Sequence, residues 1–154
     1  MSRNLETGAS STRENRIVDP KDWQHVLESI PPDLIDLRPG ATEFCLKAAE
    51  EHLGRVLPES YRSFLRACDG GRIGDSLILG TPELSTLRKD ALPSHLIPFH
   101  PVSMSGDFEC FDASREEDGE LPVVWYLAER DASEQTYVDF NDWLFDQLID
   151  LQNE

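Results

Sequence analysis

The 154-residue sequence predicts an α+β fold, a mainly antiparallel twisted sheet packed with N-terminal helices and a closing C-terminal helix. Three observations carry that expectation. Apolar residues recur at helical spacing up to Cys68; beyond Gly70-Gly71 they fall into short β-prone runs; and a helical pattern returns at the end of the chain. No repeated strand-helix alternation, which would build a parallel sheet, interrupts this order.

Residues 1–16 are rich in Ser, Thr, Arg, Asn and Glu, with almost no apolar content, and are expected to form a disordered tail ahead of a single domain over residues 17–154. Asp19 is placed to cap a first helix, with Pro20 in its first turn and Trp23, Val26, Leu27 and Ile30 facing inward; Pro31 and Pro32 stop it. A second helix begins near Thr42, carries Phe44, Cys45, Ala48, Ala49 and Leu53 on one face, and ends at Gly54. The third has Pro58 at its entry and buries Tyr61, Phe64, Leu65 and Cys68, and Asp69-Gly70-Gly71 terminates it. Strands are expected at Ser76–Leu79, Leu96–Phe99, Phe108–Phe111 and Val123–Leu127, with an unplaced short helix between Thr81 and Pro93. Asp139 caps a last helix that buries Phe140, Trp143, Leu144, Leu148 and Leu151.

Charge is distributed unevenly. Residues 1–77 hold 13 acidic and 10 basic side chains, a net of −3, and residues 78–154 hold 17 and 4, a net of −13, together the −16 of the whole chain. Such a balance argues against nucleic-acid and anionic-membrane partners, which need a positive surface. The polar N-terminus lacks the apolar stretch of a secretion signal, so the cytoplasm is the expected compartment. Three widely spaced cysteines, Cys45, Cys68 and Cys110, fit reduced thiols. The densest acidic segment contains Asp107, Glu109, Asp112, Glu116, Glu117, Asp118 and Glu120, offset only by Arg115. Its tip, Arg115–Glu120, reads either as a solvated turn or as a surface for an electropositive partner.

Chemistry finds little support. His25, His52, His95 and His100 are scattered and no Cys-x-x-Cys accompanies them, so no metal site and no cofactor are expected. A Cys110–His100–Asp112 trio is a chance pattern; Cys110 lies in a strand beside Glu109, where its thiol pKa rises and its nucleophilicity falls. Gly70, Gly71 and Gly74 follow a helix and open a strand, the reverse of a phosphate-binding loop. Paired carboxylates for glycoside chemistry abound, and nothing singles out a pair. Trp23, Trp125 and Trp143 each lie in an apolar pattern and are read as core. No residue is assigned a catalytic role.

The third helix also carries a resemblance. Leu57-Pro58-Glu59-Ser60-Tyr61-Arg62-Ser63-Phe64-Leu65, closing with Cys68-Asp69-Gly70-Gly71, resembles the helix and turn of the SUKH superfamily, which contains fungal cell-wall-synthesis regulators and many bacterial immunity proteins. Leu96-Ile97-Pro98-Phe99, Gly106–Asp112, Pro122-Val123-Val124-Trp125 and Phe140-Asn141-Asp142-Trp143-Leu144 are similar to four further family segments, in the family's order, so that the likeness spans about residues 41–150. Asp69 departs from the family's usual Asn, and Thr81–Pro93 has no matching segment.

The resemblance implies a protein-binding domain without enzymatic activity, in which Leu57, Pro58, Tyr61, Phe64, Leu65, Gly70, Gly71, Trp125, Phe140 and Trp143 are framework. It also implies a partner, a cognate bacterial toxin of the polymorphic class, occluded through the acidic segment by this chain as a monomer or weak dimer. A basic nuclease is one such toxin, since a protein that holds a polyanion is itself positive. A regulatory scaffold that recruits several cellular partners is the other reading.

Overall fold

The computed structural model describes residues 20–88, 90, 92–102, 106–130 and 132–152. The expected tail and the Asp19 cap lie outside them. Helix α1 (Pro20–Glu28) starts at the proline that can open a helix without losing a needed N–H. A 3₁₀ turn (Pro32–Leu34) leads into strand β1 (Ile35–Leu37). Helix α2 (Glu43–Leu53) begins where Thr42 accepts the amide of Cys45 at 3.1 Å and ends at left-handed Gly54. Helix α3 (Glu59–Ala67) follows Pro58, and two strands, β2 (Gly71–Ile73) and β3 (Ser76–Ile78), form a hairpin. The short helix expected within 81–93 is α4 (Thr81–Ser85). Strands β4 (Leu96–Pro101), β5 (Phe108–Asp112), β6 (Val123–Leu127) and β7 (Ala132–Tyr137) precede the closing helix α5 (Phe140–Gln152). Asp139 caps α5 as expected, its carboxylate accepting the amide of Asp142 at 2.9 Å.

All strand pairings are antiparallel, in a three-stranded sheet of order β1-β2-β3 and a four-stranded sheet of order β4-β5-β6-β7. The sheets meet at a defined point. The register of β4 against β5 slips between Pro98 and His100, and the carbonyl of Phe99, at the slip, accepts the N–H of Leu79 at 2.8 Å. Pro98 and Pro101 lie in β4, the outer strand of its sheet, where missing N–H groups disturb the ladder least.

The main core is aromatic. Trp23, Tyr61, Phe64, Phe99, Phe111, Phe140 and Trp143 are all fully buried, and Phe99 stacks on Phe111 at 4.4 Å while meeting Trp143 edge-on at 4.9 Å. Tyr61 sits among Phe99, Phe111 and Phe140 and donates its hydroxyl to the carbonyl of Leu79, so α3 is bonded to the sheet as well as packed on it. On the opposite face of the four-stranded sheet, Leu96, Cys110, Val124 and Tyr126 form a smaller cluster. The double glycine that ends α3 is required by geometry: Gly70 and Gly71 have φ of 81° and 133°, and a Cβ on Gly71 would collide with the carbonyl of Asp36 on β1.

Two expectations about the core are corrected. Phe44 is 81% exposed; the α2 face that is buried carries Leu46 and Ala49, because the Thr42 cap sets the helix phase and turns Phe44 outward in the first turn. Trp125 is 38% exposed and is not core, unlike Trp23 and Trp143. It lies on β6 beside the open concavity described below.

Candidate functional site

The acidic segment is split by the fold into buried ties and exposed charges. At its tip, Glu117 and Glu120 exchange backbone hydrogen bonds of 2.9 and 3.0 Å around Asp118-Gly119, both with positive φ (54° and 83°), the geometry of a tight hairpin turn favoured by Asp-Gly. Glu116 accepts the amide of Gly119 at 2.8 Å and so shapes the turn. Glu116, Glu117 and Asp118 are exposed.

The turn is fastened to the start of α3. Pro58 offers that helix no side-chain cap; instead the Gly119 carbonyl accepts the amide of Glu59 at 3.0 Å, and the Glu120 carboxylate accepts the amide of Ser60 at 2.8 Å and its hydroxyl at 2.7 Å. Glu120 therefore supplies from 60 residues away the acceptor that a helix N-terminus needs. It is only 1% exposed, which removes it from any contact surface; this corrects its assignment as partner-binding. Burial pushes its carboxyl up to about 7, against the two Ser60 hydrogen bonds, which favour the charged form.

Asp112 and Glu109 are also engaged. Asp112 is buried and caps the 3₁₀ turn Ala113–Arg115, accepting the amide and hydroxyl of Ser114 at 3.0 and 2.6 Å. Asp107, half-buried, accepts the amide of Ala128 at 3.0 Å. Glu109 projects from β5 toward α5, where Trp143 Nε1–H donates to it at 2.5 Å and His100 Nε2 lies 3.9 Å away. Burial raises its carboxyl above the usual range, opposed chiefly by the Trp143 bond. Of the seven segment acids, three remain at an exposed tip, and Glu109 faces a different part of the molecule.

That second region is an open concavity of about 650 Å³ beside the middle of α5, lined by His100, Val102, Glu109, Trp125, Tyr137 and Asp146. Sequence reasoning missed it: Trp125 is read there as core, and Tyr137 and Asp146 are not singled out. The available signal was the alternation of β6: Val123, Trp125 and Leu127 share one side of the strand, and of these Trp125 is exposed.

The arrangement offers surfaces in place of reactive groups. Cys68 and Cys110 are buried thiols, Cys68 pushed up to about 12 and Cys110 further by burial first and by Glu109 second. Among the described residues, no group of three or more His, Cys, Asp or Glu side chains is arranged to hold a metal ion. Nor, among them, is any helix long and apolar enough to cross a membrane.

The model of the SMI1 / KNR4 family (SUKH-1) matches residues 40–146. The chain belongs to the SUKH-1 family. No curated protein matches it in sequence. The match covers everything from Gly40, beside α2, to the middle of α5, and leaves α1 and β1 outside. In this SUKH domain the motif residues act as framework: Leu57, Tyr61, Phe64 and Leu65 are buried, Gly70-Gly71 makes the turn, and Asp69, in the usual Asn position, accepts the amide of Thr81 at 2.7 Å and its hydroxyl at 2.5 Å. That pair holds α4 to the end of α3. The family includes immunity proteins and cell-wall regulators, and so comprises protein-binding domains.

Proposed function

We propose that this SUKH-1 domain is a non-enzymatic immunity-type protein that blocks a cognate, electropositive bacterial toxin through acidic surface on its C-terminal half, acting in the cytoplasm as a monomer or weak dimer. The observation that carries this reading is the contrast in charge use. In the N-terminal half acids and cations nearly balance, and three of the cations are ion-paired, Arg38 to Glu83 at 2.7 and 2.9 Å, Arg66 to Glu43 at 2.7 Å, and Arg62 between Glu50 and Glu59. In the C-terminal half Glu116, Glu117, Asp118, Glu129, Glu134, Asp146 and Asp150 are exposed, in a stretch whose net charge is −13. Self-repulsion of this kind costs stability and speeds encounter with a positive partner. A nuclease is the member of that class most readily blocked this way, since its substrate site already receives a polyanion.

The test is association with the protein encoded beside it, followed by stopped flow at low and high ionic strength. Clean variants leave Glu116 in place and put at left-handed Asp118 only Asn, which tolerates that backbone, so Glu117→Lys and Glu129→Lys are combined with Asp118→Asn. The expected outcome is an on-rate reduced about tenfold, with most of the salt dependence lost and the circular dichroism unchanged. An unaltered on-rate makes the tip a solvated turn, and weak binding to many proteins favours the scaffold reading.

A further inference from the structure

One row across the four-stranded sheet is unlike the others. The register places His100 opposite Glu109, Glu109 opposite Trp125, and Trp125 opposite Glu134, so four adjacent strands present His, Glu, Trp and Glu side by side, the first two against Trp143 of α5 and the last two exposed beyond it. Strands are spaced at about 4.8 Å, which sets the two carboxylate-bearing strands on either side of the indole at about 10 Å from each other.

The hydrogen-bond inventory of the concavity is one-sided. His100 Nδ1–H donates to the carbonyl of Leu77 at 2.7 Å, Trp143 Nε1–H to Glu109, Tyr137 O–H to Asp146 at 2.6 Å, and Thr136 O–H to the carbonyl of Val123 at 3.4 Å. The side-chain donors of the lining are thus consumed within the protein, apart from the indole N–H of Trp125 itself. What is exposed is the indole of Trp125 and the carboxylates of Glu134 and Asp146, while Glu109, held by Trp143 and only 15% exposed, forms the inner wall. A sugar or an amide would need donors and acceptors together; an anion would meet like charge. A planar cation fits all of it, lying on the indole while its N–H groups reach the flanking acids.

We propose that Trp125, with Glu109, Glu134 and Asp146, is a docking subsite for an arginine side chain of a basic partner protein. This rests on the reading of the chain as a binder of an electropositive protein, and it names where one anchoring side chain of that partner lands. The acidic tip at 116–118 then steers, and the Trp125 row holds.

The probe is an acetylated Gly-Arg-Gly amide tripeptide, with the citrulline peptide, equal in shape and uncharged, as its control. Binding is read from the indole N–H signals of the ¹⁵N-labelled full chain, where buried Trp23 and Trp143 report that the fold is intact. The Trp125 signal is expected to move saturably with the arginine peptide, with the citrulline peptide about tenfold weaker. Glu134→Gln should weaken arginine binding several-fold and Trp125→Leu should abolish the shifts at Thr136 and Tyr137, both with the Trp143 signal in place. Equal binding of the two peptides, or an unmoved Trp125 signal, overturns the subsite. Failure of the two readings is separable: a partner that binds the Trp125→Leu chain as tightly as the native one sinks the subsite and spares the blocking role. Arginine peptide bound at Trp125, alongside partner association indifferent to salt, does the reverse.

Discussion

Helix α3 and the acidic turn at 116–120 touch each other, yet they use polar groups in opposite ways. Around α3, Tyr61 bonds to Leu79, Asp69 to Thr81 and Ser60 to Glu120, and every one of these groups is buried. Within the turn, three consecutive acids are exposed and only the fourth, Glu120, reaches inward. The difference teaches that a carboxylate's place in an acidic run says little about its work. The number of donors it meets, and whether water still reaches it, decide between scaffold and surface. Substitutions should therefore separate cleanly: those around α3 should change stability and spare the charge-dependent encounter, and those at the tip should do the opposite.

The largest effect is expected inside the framework. Phe99 contacts Tyr61, Phe111, Phe140 and Trp143, and its carbonyl joins the two sheets. Phe99→Ala should destabilise the chain by about 3–5 kcal/mol in urea unfolding, and Phe99→Leu by less, because leucine refills part of the cavity. A loss below about 1 kcal/mol for the alanine variant would mean that the ring cluster does not hold the sheets to the helices.

The framework was largely legible in the sequence because it is written in local pattern: Pro58 before Tyr61, Phe64 and Leu65 at helical spacing, then the double glycine. Other parts were not. Strand β1 has three residues, too few to show alternation, and β7, Ala-Ser-Glu-Gln-Thr-Tyr, is a polar edge strand whose pairing with β6 depends on a neighbour rather than on its own propensity. The inward turn of Glu120 was illegible for the same reason: its partner is Ser60, 60 residues away, and sequence adjacency to Glu116–Asp118 pointed the other way. The Trp125 row needed the register of four strands at once.

Glu120 gives the next effect and tests which side of the comparison it belongs to. Glu120→Ala leaves the amide and hydroxyl of Ser60 without their acceptor, at a cost of about 1–3 kcal/mol. Its pH dependence has a definite sign. A glutamate in the unfolded chain titrates near ~4.3, whereas burial holds this one up to about 7 in the folded state. Below the lower value both states hold the proton. Between the two, only the unfolded chain releases it, so Glu120's contribution falls as pH rises and levels off above about 7. Glu120→Gln cannot titrate, so native stability measured against this variant should decline across that window. A flat difference would show that the Glu120 carboxyl titrates alike in both states and sits at the surface with its neighbours.

The smallest effect is expected at the tip, and its smallness is the point. Glu117 is exposed, and its backbone makes the bonds that close the turn. Glu117→Gln keeps that backbone and the side-chain length while removing one charge from a crowded acidic patch. Its effect on urea stability should stay within about 0.5 kcal/mol, and should lean toward stabilisation at low ionic strength, where repulsion from Glu116 and Asp118 is least screened. Added salt should erase that small gain, because it screens the repulsion among the acids of the turn. A loss above about 1 kcal/mol that persists in salt would instead make the Glu117 carboxylate a structural tie like Glu120, and the exposed acids would no longer be available as a surface kept for a partner.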